Sequence, residues 1–157
     1  MDLIVIPNIG NAYQAERTRD ELPQSAAGRT IMTTEPKFVP NEAVEISLGD
    51  NAHLKVRMID CVGYVVNSSL GYIEDEHPRM VNTPWSETPM PFDEAAEIGT
   101  KKVINEHSTI GLVITTDGSF TEIDRSDYVD AENRVINELK DINKPFIILL
   151  NCADPSS

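Results

Sequence analysis

The chain is poor in basic residues, in cysteine and in long apolar runs. Its 157 residues include 13 lysines and arginines against 26 aspartates and glutamates, which gives a formal net charge of −13. This balance argues against nucleic acid and anionic membrane surfaces as partners, because both need a basic footprint. Two cysteines, Cys61 and Cys152, form no disulfide-scaffold pattern and favour a reduced, cytosolic setting. No run of 18 apolar residues occurs, so the sequence predicts no transmembrane helix and no direct membrane insertion.

The sequence also lacks G-x-x-x-x-G-K-[ST], the glycine-rich loop that cradles phosphates in P-loop NTPases. The nearest approach is the segment that begins at Gly28. There Pro23 occupies the position of the motif's first glycine, and Arg29 replaces its lysine. A phosphate cradle of this type is therefore not found within these 157 residues.

What is present is an apolar strand that ends on Asp60 and is followed three residues later by Gly63. This D-x-x-G spacing is typical of P-loop NTPases, and the carboxyl end of a strand is where open α/β sheets place their ligands. Asp60 could there hold Mg²⁺ through water, and the Gly63 N–H could meet a γ-phosphate. The alternative for Gly63 is a turn glycine with a positive φ angle.

Hydrophobic periodicity predicts an α/β fold in which an antiparallel hairpin precedes a parallel part of the sheet. A mixed loop should cover 22–40 and a long aperiodic loop should cover 64–91. The two later strands are near-continuous apolar runs, the pattern of strands buried on both faces. The predicted elements are a short helix over 12–21, strands over 44–48 and 54–60, a helix over 92–106, a strand over 110–116, a helix over 127–141 and a strand over 145–150.

Three further sites, with five residues in all, have a functional and an ordinary interpretation. Thr33 and Thr34 lie in the loop before the hairpin, where switch NTPases contact Mg²⁺ and the γ-phosphate, although threonines are also common loop residues. Tyr64 follows Gly63, where Ras-like enzymes orient water with glutamine. Tyrosine cannot do this in the same way, so it either leaves that task to another group or anchors the loop. Asn151 and Asp154 partly match the base-reading N-K-x-D motif, but a turn before a proline gives the same pattern.

Several long strings resemble the stage IV sporulation protein A family, the spore-coat morphogenetic ATPases of endospore-forming Firmicutes. These strings cover 20–40 (DELPQSAAGRTIMTTEPKFVP), 59–64 (IDCVGY), 78–85 (PRMVNTPW) and 94–118 (EAAEIGTKKVINEHSTIGLVITTDG). The resemblance implies a P-loop NTPase fold of the translation-factor-related, GTPase-like class, with residues 1–157 forming part of an N-terminal ATPase domain. It also implies hydrolysis of ATP with Mg²⁺ that drives self-polymerisation into the coat basement layer around the forespore.

Carried over by position, the resemblance makes Thr33 and Thr34 the pair that senses the γ-phosphate and Asp60 the catalytic, Mg²⁺-coordinating aspartate, with Thr33 as a second metal ligand. From the D-x-x-G and N-K-x-D patterns, and not from the resemblance, Gly63, Asn151 and Asp154 are predicted to contact the nucleotide, and the partial guanine motif does not decide between ATP and GTP. The implied partners are further copies of the chain, a small amphipathic membrane-anchoring sporulation peptide and other coat proteins, at the outer forespore surface in the mother-cell cytoplasm. The family's P-loop and first strand would lie before Met1, and its later domains would follow this segment.

The first strand of this fold class lies in the middle of the sheet, between the hairpin and the strand over 110–116. Without it we expect open edges, and hence an isolated chain that is poorly stable or that pairs those strands directly. Two other functions remain open from the residues alone. One is a GTP-operated switch, and the other is a truncated, non-catalytic structural or interaction module.

Overall fold

A computed structural model describes residues 5–20, 36–66, 68–119 and 122–155. They divide into two compact units, of which the first ends at Asp60 and contains the 3₁₀ turn, α1, β1 and β2, and the second contains the elements from β3 to β8. None of the helices in these ranges has the length and the apolar run needed to cross a membrane. In chain order the elements are a 3₁₀ turn (Ile6–Asn8), α1 (Ala12–Asp20), β1 (Lys37–Ser47), β2 (His53–Asp60), β3 (Ile73–Glu74), β4 (His77–Pro78), β5 (Met80–Val81), β6 (Met90–Pro91), α2 (Phe92–Lys102), a π-helical turn (Val103–His107), β7 (Gly111–Thr116), α3 (Arg125–Asp141) and β8 (Phe146–Asn151).

The first unit is built on the predicted antiparallel hairpin. Val44 and Ile46 are buried and pair with Val56 and Leu54 of β2, which confirms the alternating pattern. The hairpin begins earlier than predicted, at Lys37, so the loop predicted over 22–40 is wrong in its last four residues.

The first residues of β1 were not predicted as strand, and the reason is local. The ladder is irregular between Val39 and Val44, and Pro40, which has no N–H to donate, lies inside that irregularity. Arg57 of β2 faces it, with its guanidinium 3.9 Å from the Phe38 ring centroid and its Nη1 donating to the Asn41 carbonyl oxygen at 3.3 Å. Because a proline lies inside this irregular ladder, the sequence pattern did not indicate that the strand begins before it.

The segment predicted as a long loop over 64–91 contains two small antiparallel ladders. β3 pairs with β4, and β5 pairs with β6. Between β3 and β4, Asp75 and Glu76 have φ angles of 50° and 64°. Two consecutive positive φ angles are the signature of a type I′ turn, whose twist suits a two-residue hairpin loop.

The core of the second unit lies between α3, β7 and the π-helical turn that extends α2. Leu139 of α3, Val113 of β7 and Ile104 of the turn are buried together, with Val135 and Phe146 packed against them. The apolar and small residues on one face of α2 and at the start of the π-helical turn are also buried, as the helix predicted over 92–106 requires. These residues are Phe92, Ala95, Ala96, Gly99 and Val103.

The end of the π-helical turn is capped from a distant loop. Lys144, which follows α3, donates through Nζ to the carbonyl oxygens of Ile104 and Ser108, at 2.6 Å in the second case. Carbonyls at a helix end have no partner within the helix, so a cation there both satisfies them and complements the helix dipole. This one side chain therefore holds the start of β8 next to the end of the α2 extension.

β7 and β8 form the predicted parallel pair, in register from Gly111 opposite Phe146 to Thr116 opposite Asn151. The prediction that both strands are buried on both faces is wrong. α3 covers one face of β7, and the apolar side chains on the other face are exposed because no described element covers them. The exposed pairs are Leu112 with Ile147 and Ile114 with Leu149.

The strands of the described ranges form four separate two-stranded sheets. β1 pairs with β2 and β7 pairs with β8, so direct pairing between the hairpin and β7, one of the two expected outcomes, is not what the structure shows. Open edges on β7 and β8 agree with the other part of that expectation. Poor stability of the isolated chain stays a prediction.

Candidate functional site

Asp60 is the last residue of β2, where the sequence placed it, and its side chain is exposed. Mg²⁺ is commonly held by one or two carboxylates together with substrate phosphates and waters. An exposed carboxylate at a strand end supplies ligand oxygens of the right kind for that arrangement. Thr33 and Thr34 lie outside the described residues, and their roles stay predictions.

Gly63 has a φ angle of 82°, which is the left-handed region that disfavours side chains. A Cβ atom at this position would meet nothing within 4 Å. The requirement for glycine is therefore conformational and not a matter of space. This confirms the positive φ angle of the ordinary interpretation of Gly63, and it leaves the predicted contact with a γ-phosphate open.

The next residue, Tyr64, is held by two side chains of α3. Its hydroxyl donates to Glu138 Oε2, and the Arg134 guanidinium lies over its ring at 4.0 Å from the centroid. Burial, followed by the hydrogen bond to Glu138, raises the pKa of Tyr64 well above its ordinary value. The phenol is therefore a fixed hydrogen-bond donor, which favours the interpretation that Tyr64 anchors its loop.

Arg134 connects this anchor to α2. Its Nη2 binds Glu97 Oε1, and its Nε donates to Glu138 Oε1 at 3.4 Å. Glu97 also accepts from Lys101 Nζ at 2.8 Å. The bond from Arg134, and then that from Lys101, lowers the pKa of Glu97, so this carboxylate stays charged. Arg134 on α3 thus links the Tyr64 ring to the Glu97–Lys101 ion pair on α2.

The carboxyl ends of β7 and β8 carry two loops that bond to each other. The Asp117 N–H donates to the Asn151 carbonyl oxygen at 3.2 Å, and the Ala153 N–H donates to Ser119 Oγ at 2.9 Å. The Ser119 hydroxyl in turn donates to Asp117 Oδ1 at 2.5 Å, which holds the pKa of Asp117 below its usual range. Gly118 completes this turn with a φ angle of 88°.

Asn151 is the last residue of β8 and Asp154 lies in the loop that follows it, and both are exposed. This loop is at the edge of a parallel strand pair where α/β proteins bind ligands, which supports the sequence-based placement without assigning a ligand. Cys152 occupies the position of the lysine in the N-K-x-D motif. The sequence analysis missed Ser119, although a serine two residues after an aspartate at a strand end is a common turn signal.

The described part of the chain therefore defines an α/β protein. It has a strand-end carboxylate in its first unit and, in its second unit, an anchored glycine segment and a pair of strand-end loops. The chain matches, over residues 1–157, the family described as "Stage IV sporulation protein A, ATPase domain". No solved structure matches it.

Three curated proteins are similar to the chain along nearly its whole length, and each is a stage IV sporulation protein A. The protein of Bacillus anthracis is 61% identical over 99% of the chain, and that of Bacillus subtilis (strain 168) is 59% identical over 99%. The protein of Clostridioides difficile (strain 630) is 59% identical over 100% of the chain. The chain spans about a third of the length of these relatives, 32% in each case. It belongs to the stage IV sporulation protein A family and corresponds to the ATPase domain of that family.

Proposed function

We propose that the chain contributes the metal-binding and γ-phosphate-sensing residues of an ATP-hydrolysing domain that works in spore coat assembly. The observation that supports this most directly is the exposed Asp60 at the carboxyl end of β2, followed three residues later by Gly63 with a positive φ angle. These features lie in a chain that matches the family's ATPase domain from end to end. D-x-x-G alone would be a weak signal, and the family match supports its assignment to a nucleotide site.

In this proposal the named residues bind the metal, the γ-phosphate and the base. Asp60 and Thr33 hold Mg²⁺, and Thr33 and Thr34 together sense the γ-phosphate. The Gly63 N–H donates to the γ-phosphate. The loop with Asn151 and Asp154 faces the nucleotide base, and the phosphate cradle is supplied by residues outside this segment. Attack of water on the γ-phosphorus then yields ADP and inorganic phosphate.

The purpose of the reaction in this proposal is assembly. Loss of the γ-phosphate would release the threonine loop, which changes the surface that the domain offers to further copies of the protein. Polymers would form the coat basement layer around the forespore. A small amphipathic membrane-anchoring peptide and other coat proteins would position them there, on the mother-cell side. The family membership supports this role in sporulation.

The test is the Asp60→Asn variant of a full-length protein that carries this sequence. Asparagine keeps the shape of the side chain and removes its charge, so Mg²⁺ loses an anionic ligand. We expect ATP hydrolysis to fall by at least about 100-fold, a typical cost of removing a metal-site or transition-state contact. Steady-state phosphate release measures this effect, and sedimentation of polymers measures assembly.

Asp50→Asn is the matched control, because Asp50 is also exposed and lies in the turn that joins the same two strands. Hydrolysis and assembly at wild-type levels in Asp60→Asn would contradict the proposal and favour the non-catalytic module. Competition between ATP and GTP in the wild-type protein distinguishes the ATPase from a GTP-operated switch, and we expect ATP to be preferred.

A further inference from the structure

The segment over 61–66 has no helix or strand of its own, so its conformation depends on the contacts of its side chains. Next to Gly63, the side chain of Tyr64 makes two contacts with α3. The Tyr64 hydroxyl donates to Glu138, and the Tyr64 ring lies against the guanidinium of Arg134. Both contacts are directional, since one fixes where the hydroxyl points and the other fixes the face of the ring.

The two anchoring side chains are themselves held in place. Arg134 binds Glu97 on α2 as well as Glu138 on its own helix. Glu97 is bound in turn by Lys101, one turn later on α2. Each side chain that touches Tyr64 therefore has a second partner that limits its rotation, and the network of ion pairs that holds the tyrosine extends over two helices.

We propose that Tyr64 is a positioning residue that, through Glu138 and Arg134, places the Gly63 N–H for the γ-phosphate. Neighbouring Cα atoms are held about 3.8 Å apart, so a shift of Tyr64 is passed directly to Gly63. The consequence is discrimination, because the anchor strengthens binding of a nucleoside triphosphate and leaves binding of the diphosphate unchanged. This inference rests on the proposed function, which gives Gly63 its contact with the γ-phosphate.

The experiment compares two dissociation constants in the full-length protein with Mg²⁺. One is for ADP, and the other is for an ATP analogue whose β–γ bridging oxygen is replaced by methylene, so that it is not hydrolysed. Tyr64→Phe removes the hydroxyl and keeps the ring under Arg134, whereas Tyr64→Leu removes both contacts. We expect analogue affinity to fall about threefold in the first variant and about tenfold in the second, as for partial and larger losses of a hydrogen bond to a charged group. ADP affinity should change by less than about twofold in both.

Two further variants separate positioning from simple loss of structure. Tyr13→Phe is the matched control, since Tyr13 is an exposed tyrosine on α1 in the other unit. Glu138→Ala removes the acceptor of the Tyr64 hydroxyl, so combining it with Tyr64→Phe should cost less than the sum of the two single effects. Strict additivity would show that the bond between them does not carry the effect.

Each outcome of this experiment bears on the proposal. Equal losses of ADP and analogue affinity in the Tyr64 variants would show a merely structural role and overturn the inference. An unchanged ratio of the two constants, in a protein whose wild type prefers the analogue, would overturn it while the proposed function survives. If the wild type itself binds neither nucleotide, or binds both alike, the proposed function fails and the inference fails with it.

Discussion

The two faces of β7 have opposite surroundings, whereas the apolar side chains of β8 from Ile147 to Leu150 are exposed on both faces. On one face Val113 packs against Leu139 and Ile104. Leu139 of α3 also lies so close to Gly111 that a larger residue there would be crowded. On the other face Ile114 is 69% exposed, and its neighbours are open as well. Parallel sheets normally have both faces covered. Within the described residues, α3 and the π-helical turn cover the Val113 face of β7, and the Ile114 face stays exposed.

The packed face should respond most strongly to loss of Leu139, which is 2% exposed. Leu139→Ala leaves a cavity between α3 and β7, and such changes cost about 2–5 kcal/mol. Hydrogen exchange of the β7 and α3 amides in the full-length protein measures the lowered free energy of local opening. Val129→Ala is the control, because Val129 lies on the same helix and is exposed. Similar losses in the two variants would contradict the assignment of Leu139 to the core.

A smaller effect is expected from Gly111→Ala on the same face. The new Cβ would lie 3.0 Å from both Leu139 methyl carbons and 3.1 Å from Phe146 Cβ, which is tighter than most Cβ contacts in proteins. Overpacking of this kind costs about 1–3 kcal/mol. The same exchange experiment measures it, with Gly10→Ala as control, because a Cβ at Gly10 meets nothing within 4 Å.

A double variant sharpens this second prediction. Leu139→Ala removes the methyl groups that a side chain at Gly111 would strike. The combined variant should therefore be less destabilised than the sum of the two single changes, since the two residues share one space. Additive losses would mean that Gly111 is required for a reason other than the approach of α3.

The smallest effect is expected on the open face, in the isolated 157-residue chain. Ile114→Thr keeps a β-branched side chain in the strand and should change the opening free energy by less than about 0.5 kcal/mol. If the rest of a full-length family protein covers this face, the same change there should cost about 1–3 kcal/mol. The cost comes from the loss of buried apolar area and from the burial of the threonine hydroxyl. Exchange at the β7 amides in both proteins gives the comparison. Equal, small costs in the two would show that the face stays open.

The sequence predicted the helices, the hairpin and the parallel order of β7 and β8, because these depend on local periodicity. It missed the start of β1, where Pro40 interrupts a ladder that continues on both sides. It also placed β7 and β8 in full burial, because the apolar runs of the two strands do not record what covers each face.

The candidate site was likewise predicted only in part. Asp60 and Gly63 were found because a strand end and a fixed spacing are visible in the residues. The partners of Tyr64 and Ser119 were not, because Glu138 and Ala153 lie 74 and 34 residues away along the chain. Contacts over such distances depend on how helices and strands pack, and a single sequence carries no direct signal for them.

The cap that Lys144 forms has a consequence for chemical reactivity. An acylating reagent reacts with an amine that it can reach, but Lys144 Nζ donates to two enclosing carbonyl oxygens and the residue is only partly exposed. Lys140, one turn earlier and exposed, has no such enclosure in the structure. Lysine-directed labelling of the folded protein should therefore mark Lys140 well before Lys144. Acetylation of Lys144 would remove its positive charge from the end of the α2 extension and weaken the link between that helix and the start of β8.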